Sequence, residues 1–115
     1  MYSVTAAFVQ WLIAHGYDAH SYPPADSDEF VTVERTGGGV VDMVDHPTIA
    51  VQTWAQTEAR AEDMANEIRY LVLTEAPPEG VHSVTVETGA YRFYDEYTRL
   101  PRFQLVLDAA CQLTE

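Results

Sequence analysis

The chain has 115 residues, 47% hydrophobic and 21% charged, which suits one globular domain with a single buried core. Eighteen Asp and Glu against six Lys and Arg give a formal charge of −12 with no basic cluster, which excludes a surface built to hold a phosphate backbone. One cysteine, Cys111, excludes an intramolecular disulfide and a multi-cysteine zinc site.

The opening stretch MYSVTAAFVQWLIAHG lacks a basic leader, and His15 and Gly16 interrupt it where the apolar core of a secretion signal would continue. It is read as a helix. Ser3 caps it, Val4, Phe8, Trp11, Leu12 and His15 follow helical steps, and Gly16 stops it. Val9 and Ile13 widen the apolar face and predict cover on more than one side. SYPPADSDE is a turn-rich linker. EFVTVER (29–35) alternates with the period of a strand, and the glycines that follow predict a mobile hairpin tip. VVDMVDHP is too short and interrupted for a helix, and Pro47 is expected to open the next element, a strand over TIAVQTWA (48–55).

A second helix is predicted from about Thr57. Ala61, Met64, Ala65, Ile68, Leu71 and Val72 line one stripe, charged residues fill the other side, and EAPPEG ends it. HSVTVET (82–88) and PRFQLVLDAACQL (101–113) are the last two strands, joined by the long aromatic connection GAYRFYDEYTRLP. The predicted order is α-β-β-α-β-β over one domain, residues 1–115. It is an α+β fold with helices packed on a mostly antiparallel sheet. The loops 37–46 and 89–99 are expected to be its least ordered parts.

The chemistry-bearing residues point away from catalysis. TGGGVVDMVD lacks the lysine and the following helix of a phosphate-binding loop, and aspartates stand where the anion would sit. Asp42, Asp45 and His46 are donors of the right type for a divalent ion, but no distal pair matches them; His15, His20 and His82 lie in unrelated elements. An arginine is the expected partner of Asp42 or Asp45. Cys111 falls on the apolar face of the last strand, a place for a small hydrophobe and not for a thiolate. No enzyme, cofactor or metal is expected. Tyr91, Phe93, Tyr94, Arg99 and Arg102 interleave aromatics with cations as a single-strand platform would, but Asp95, Glu96 and the net charge oppose that use. A protein–protein surface fits the composition better.

Three stretches, in order, carry a resemblance: "VTVERTGGG", "DHPTIAVQTWAQTEARAEDMANEIRYLV" and "GVHSVTVETGAYRFYDEYTRLPRFQLVLDAAC". From Val4 to Leu113 the chain resembles the tail terminator (tail-completion, head-to-tail joining) proteins of long-tailed bacteriophages, with Arg35, Trp54, Pro101, Arg102 and Phe103 matching best. The resemblance implies a non-enzymatic virion protein at the tail–head junction, made in the host cytoplasm. Such a protein assembles as a hexameric ring on the tail tube, stops its polymerisation and offers a docking face to the head connector. No membrane span is expected, since no segment approaches the ~18 apolar residues one needs, and the acidic charge argues against direct nucleic-acid contact. Arg35, Gly37, Gly38, Gly39, Asp45, Tyr91, Phe93, Tyr94, Asp95, Arg99 and Arg102 are then candidate contacts with sister subunits, tube or neck. Arg35 and Arg102 are expected to pair with Asp45 or Asp95, whereas Trp54 and Phe103 fit the core. The alternatives are another head–tail connector or head-completion subunit, and a small ligand-binding α+β domain.

Overall fold

A computed structural model describes residues 2–93 and 100–112. The elements are α1 (Val4–Ala14), β1 (Ala19–His20), β2 (Phe30–Val41), β3 (Val44–Trp54), α2 (Glu58–Thr74), β4 (Val81–Arg92) and β5 (Arg102–Gln112). One strand more than expected is present, so the order is α-β-β-β-α-β-β. The extra strand has two residues, too few for any period to show. It runs parallel to β2, Ala19 beside Val31 and His20 beside Thr32. The other neighbours in the sheet, ordered β1-β2-β3-β5-β4, are antiparallel.

Both helices begin as their caps dictate. The Ser3 hydroxyl accepts from the Ala6 amide at 3.2 Å, and the Thr57 hydroxyl accepts from the Arg60 amide at 3.2 Å. Gly16, at φ +95°, turns the chain out of α1. α1 covers β1 and β2, and α2 covers β3, β5 and β4. Register sets Val33 beside Val51 and Val51 beside Leu105, so the inward residues of three strands form one floor. On that floor rest Phe8 and Leu12 of α1 and Met64, Ala65 and Ile68 of α2, in a single cluster. Burying each large aliphatic side chain there contributes about 1.5–3 kcal/mol. Ile13 departs from expectation: it is 46% exposed, because only one face of α1 meets the sheet.

The glycine run is not a loop. Gly37, Gly38 and Gly39 lie inside β2, opposite Thr48, Pro47 and His46 of β3, after a register shift between Arg35 and Gly37. The turn is two residues long, Asp42 and Met43, both with positive φ (51° and 65°), the pattern of a type I′ hairpin. Pro47 does not open β3 but sits inside it and is buried. A proline fits there because the β3–β5 ladder passes from Asp45 to Thr48 and skips His46 and Pro47. Gly38 is required: its φ is +104°, and a Cβ would stand 2.1 Å from the carbonyl oxygen of His46. At Gly37 and Gly39 a Cβ would meet nothing within 4 Å. β4 also runs on to Arg92, so Gly89–Arg92 belong to the sheet and not to the connection.

Candidate functional site

The candidate contact residues gather into two places, one on each face of the sheet. Tyr94, Asp95 and Arg99 lie outside the described residues.

The first is on the helix side, at the β2–β3 hairpin. Arg35 faces the floor opposite Ile49, and Asp45 follows further along β3. The Arg35 guanidinium grips the carboxylate of Asp45 with two bonds, Nη1 to Oδ2 at 2.9 Å and Nη2 to Oδ1 at 2.8 Å. Its Nε donates to the Gly37 carbonyl at 3.2 Å. These bonds hold Arg35 protonated still more firmly than usual, chiefly through the hydrogen bonds to Asp45. The fork ties β2 to β3 across the glycine run, where no side chain on β2 can do so. Beyond it the hairpin ends in three apolar side chains facing water: Val40 (53% exposed), Val41 (61%) and Met43 (70%).

Under that region lies Cys111, opposite Asp45 on β5 and buried. Burial first, then the Asp45 carboxylate, pushes its thiol up, so it packs as a small hydrophobe. The Tyr2 hydroxyl donates to the Glu79 carbonyl at 2.8 Å, and burial, followed by Cys111, pushes its phenol up to about 12. Asp45 is thus committed to Arg35. Among the described residues no group of three His, Cys, Asp or Glu side chains is placed to hold a metal ion.

The second place is on the open face, where β2, β3, β5 and β4 present Thr32, Gln52, Gln104 and Tyr91 side by side. Trp54 stacks on Phe30 with ring centroids 5.2 Å apart, and its Nε1 donates to the Thr32 hydroxyl at 3.0 Å. That hydroxyl donates to Gln52 Oε1 at 3.3 Å, and Gln52 Nε2 donates to Gln104 Oε1 at 2.6 Å. Gln104 Nε2 donates in turn to the Tyr91 hydroxyl. Over this polar ladder lies Arg102, its guanidinium carbon 4.5 Å from the Trp54 ring centre and 4.3 Å from that of Phe93. Its Nη1 donates to Gln52 Oε1 at 3.3 Å. Arg102 therefore stacks on two aromatic rings; of its two expected partners, Asp45 is taken by Arg35, and the pairing with Asp95 lies outside the described residues. A shallow cleft of about 360 Å³ borders it, lined in part by Glu34, Gln52, Trp54, Phe93 and Arg102.

Trp54 and Phe103 are both buried, but on opposite faces: Phe103 joins the helix-side core, and Trp54 roofs the open face. Pro101 closes the strand end by accepting from the Ala55 amide at 3.2 Å. Sequence reasoning missed Thr32, Gln52 and Gln104. The only signal for them is that polar residues take the outward positions of strands whose inward positions are apolar.

No protein-family model matches the chain, and no curated protein matches it. No helix among the described residues is long and apolar enough to cross a membrane.

Proposed function

We propose that the chain is a structural subunit of a bacteriophage tail, a terminator that assembles as a hexameric ring on the tail tube and receives the head connector. The observation that carries this reading is the far end of the β2–β3 hairpin. Val40, Val41 and Met43 stand in water at the end of a hairpin that the Arg35–Asp45 fork holds in register and that β5 flanks at Val44 and Asp45. Apolar side chains grouped on an ordered end favour contact with another protein. The α+β sandwich, the strand carrying Arg35 and the Pro-Arg-Phe start of β5 support the same resemblance. An acidic subunit also suits a conduit through which DNA must pass without sticking.

The cleft bordered by Gln52, Trp54, Phe93 and Arg102 favours a second reading, a small ligand-binding domain. Native mass spectrometry across concentration and salt separates the two. The ring reading expects monomers at low salt, where copies of charge −12 repel, and hexamers at high concentration, high salt or on added tail tubes. A chain that stays monomeric throughout, tail tubes included, overturns it.

A further inference from the structure

The two edges of the sheet are treated differently. β4 forms one edge and carries His82, Glu87 and Arg92 along its length, with Arg92 3.7 Å from Glu58 of α2. Its ladder with β5 shifts register three times. Charges and bulges of this kind keep an exposed strand from adding a neighbour. β2 forms the other edge for most of its length, because β1 covers only Val31 and Thr32. From Val33 to Val41 no strand among the described residues pairs with its outer side, so alternate residues turn their N–H and C=O groups outward. From Thr36 to Val41 that edge holds no charge and no proline. Gly37 and Gly39 are not demanded by backbone angle or by space, and they leave this part of β2 held by β3 alone.

We infer that the outer edge of β2, residues 33–41, is a strand-addition site for an extended, basic segment of a partner protein. Backbone bonds to the open edge supply the attachment, and apolar side chains of the incoming strand cover Val40 and Val41. Charge selects the occupant. Exposed Glu34 and Asp42 bracket the uncharged stretch, and exposed Asp18, Asp28 and Glu29 stand at the β1 end. The cations nearest the edge are already engaged, Arg35 by Asp45 and Arg60 by Glu29 and Glu67, and His20 lies 2.7 Å from Asp18. A second copy of the chain brings −12 of its own and is repelled, whereas a basic strand is attracted. The inference does not depend on the ring, since any partner with such a segment satisfies it.

The test uses blocked synthetic peptides long enough to span residues 33–41, one alternating Lys and Val, one alternating Glu and Val, and one Lys–Val peptide with central prolines. Binding is followed by residue-resolved amide exchange and by titration in low and moderate salt. The expected result is that only the first peptide binds, that it protects alternate amides within 33–41, and that its affinity falls at least tenfold with salt. Gly37→Lys, whose side chain enters open space, is expected to weaken binding at least tenfold, while Gly37→Ala keeps both fold and binding. Equal binding of the Glu–Val or proline peptide, protection elsewhere on the chain, or no binding overturns the inference. Concentration-dependent protection of 33–41 without peptide overturns its choice of occupant in favour of a second copy.

Discussion

Arg35 and Arg102 lie on opposite faces of one sheet and hold their surroundings by different physics. Arg35 faces a carboxylate across a two-stranded hairpin, its charge met by an opposite charge with a good share of the pair in water. Arg102 stacks on Trp54 and Phe93 and donates to an amide oxygen, so ring faces and a dipole are among its partners. The first contact is directional and screened by salt; the stacking in the second depends on flat surfaces. The hairpin end thus keeps its register through electrostatics, and the Trp54 end through packing.

The largest expected effect removes the floor that both ends share. Leu105→Ala, on the strand beside both, should cost about 2–5 kcal/mol in urea unfolding and degrade both regions together. A smaller loss, or one confined to a single end, would mean the two faces are not coupled through β5.

Next comes a contrast within the glycine run. Gly38→Ala forces a left-handed residue and a backbone overlap and should cost at least ~2 kcal/mol, whereas Gly39→Ala should lie within ~1 kcal/mol of neutral or stabilise. Equal costs at the two positions would mean that the run is a loop after all.

The two arginines can then be compared directly. Arg102→Ala should cost about 1–2 kcal/mol, most of it from lost stacking and packing and retained in 1 M salt. Arg35→Gln should cost about 0.5–1 kcal/mol at low salt and less in 1 M salt. Chemical denaturation in urea, with and without salt, measures both, and a salt-dependent Arg102→Ala would erase the distinction.

The smallest effect concerns pH. Neither guanidinium titrates in the usual range, but the Tyr2 phenol beneath the hairpin does, with its pKa raised from 10.0 to about 12 in the fold. A raised value means that its contribution is complete below pH 10 and is lost as pH rises through about 12. Tyr2→Phe should therefore flatten the alkaline decline of the urea midpoint over that interval. An unchanged decline would assign it to other groups, Tyr17 first, whose phenol burial and Glu67 also raise.

Much of the fold was legible in the sequence because it is written in short-range patterns. Val31 and Val33 alternate with Thr32 and Glu34, Ile68 follows Met64 at a helical step, and Ser3 and Thr57 stand where helices need caps. A carboxylate partner for Arg35 was legible, with Asp45 or Asp95 as the choices, and the β2–β3 register decides for Asp45. What escaped depends on partners distant in sequence. Glycines weaken a strand on its own, and only the facing residues of β3 make a ladder of the run. Two residues of β1 show no period and exist through Val31 and Thr32. Trp54 meets Arg102 only because β5 lies down beside β3.

That last pairing also sets an order of events during synthesis. β5 is the fifth strand made but the fourth in the sheet, wedged between β3 and β4. Ile49 waits for Leu107, and β4 has no other neighbour among the described strands. The β2–β3 hairpin and both helices precede β5 in the chain, and the apolar floor stays open on one side until β5 arrives. During that interval the nascent chain carries Ile49 and Val51 with a strand partner on one side only, and apolar surface left open in this way favours aggregation. A chain cut short before β5 has no finished sheet to fall back on.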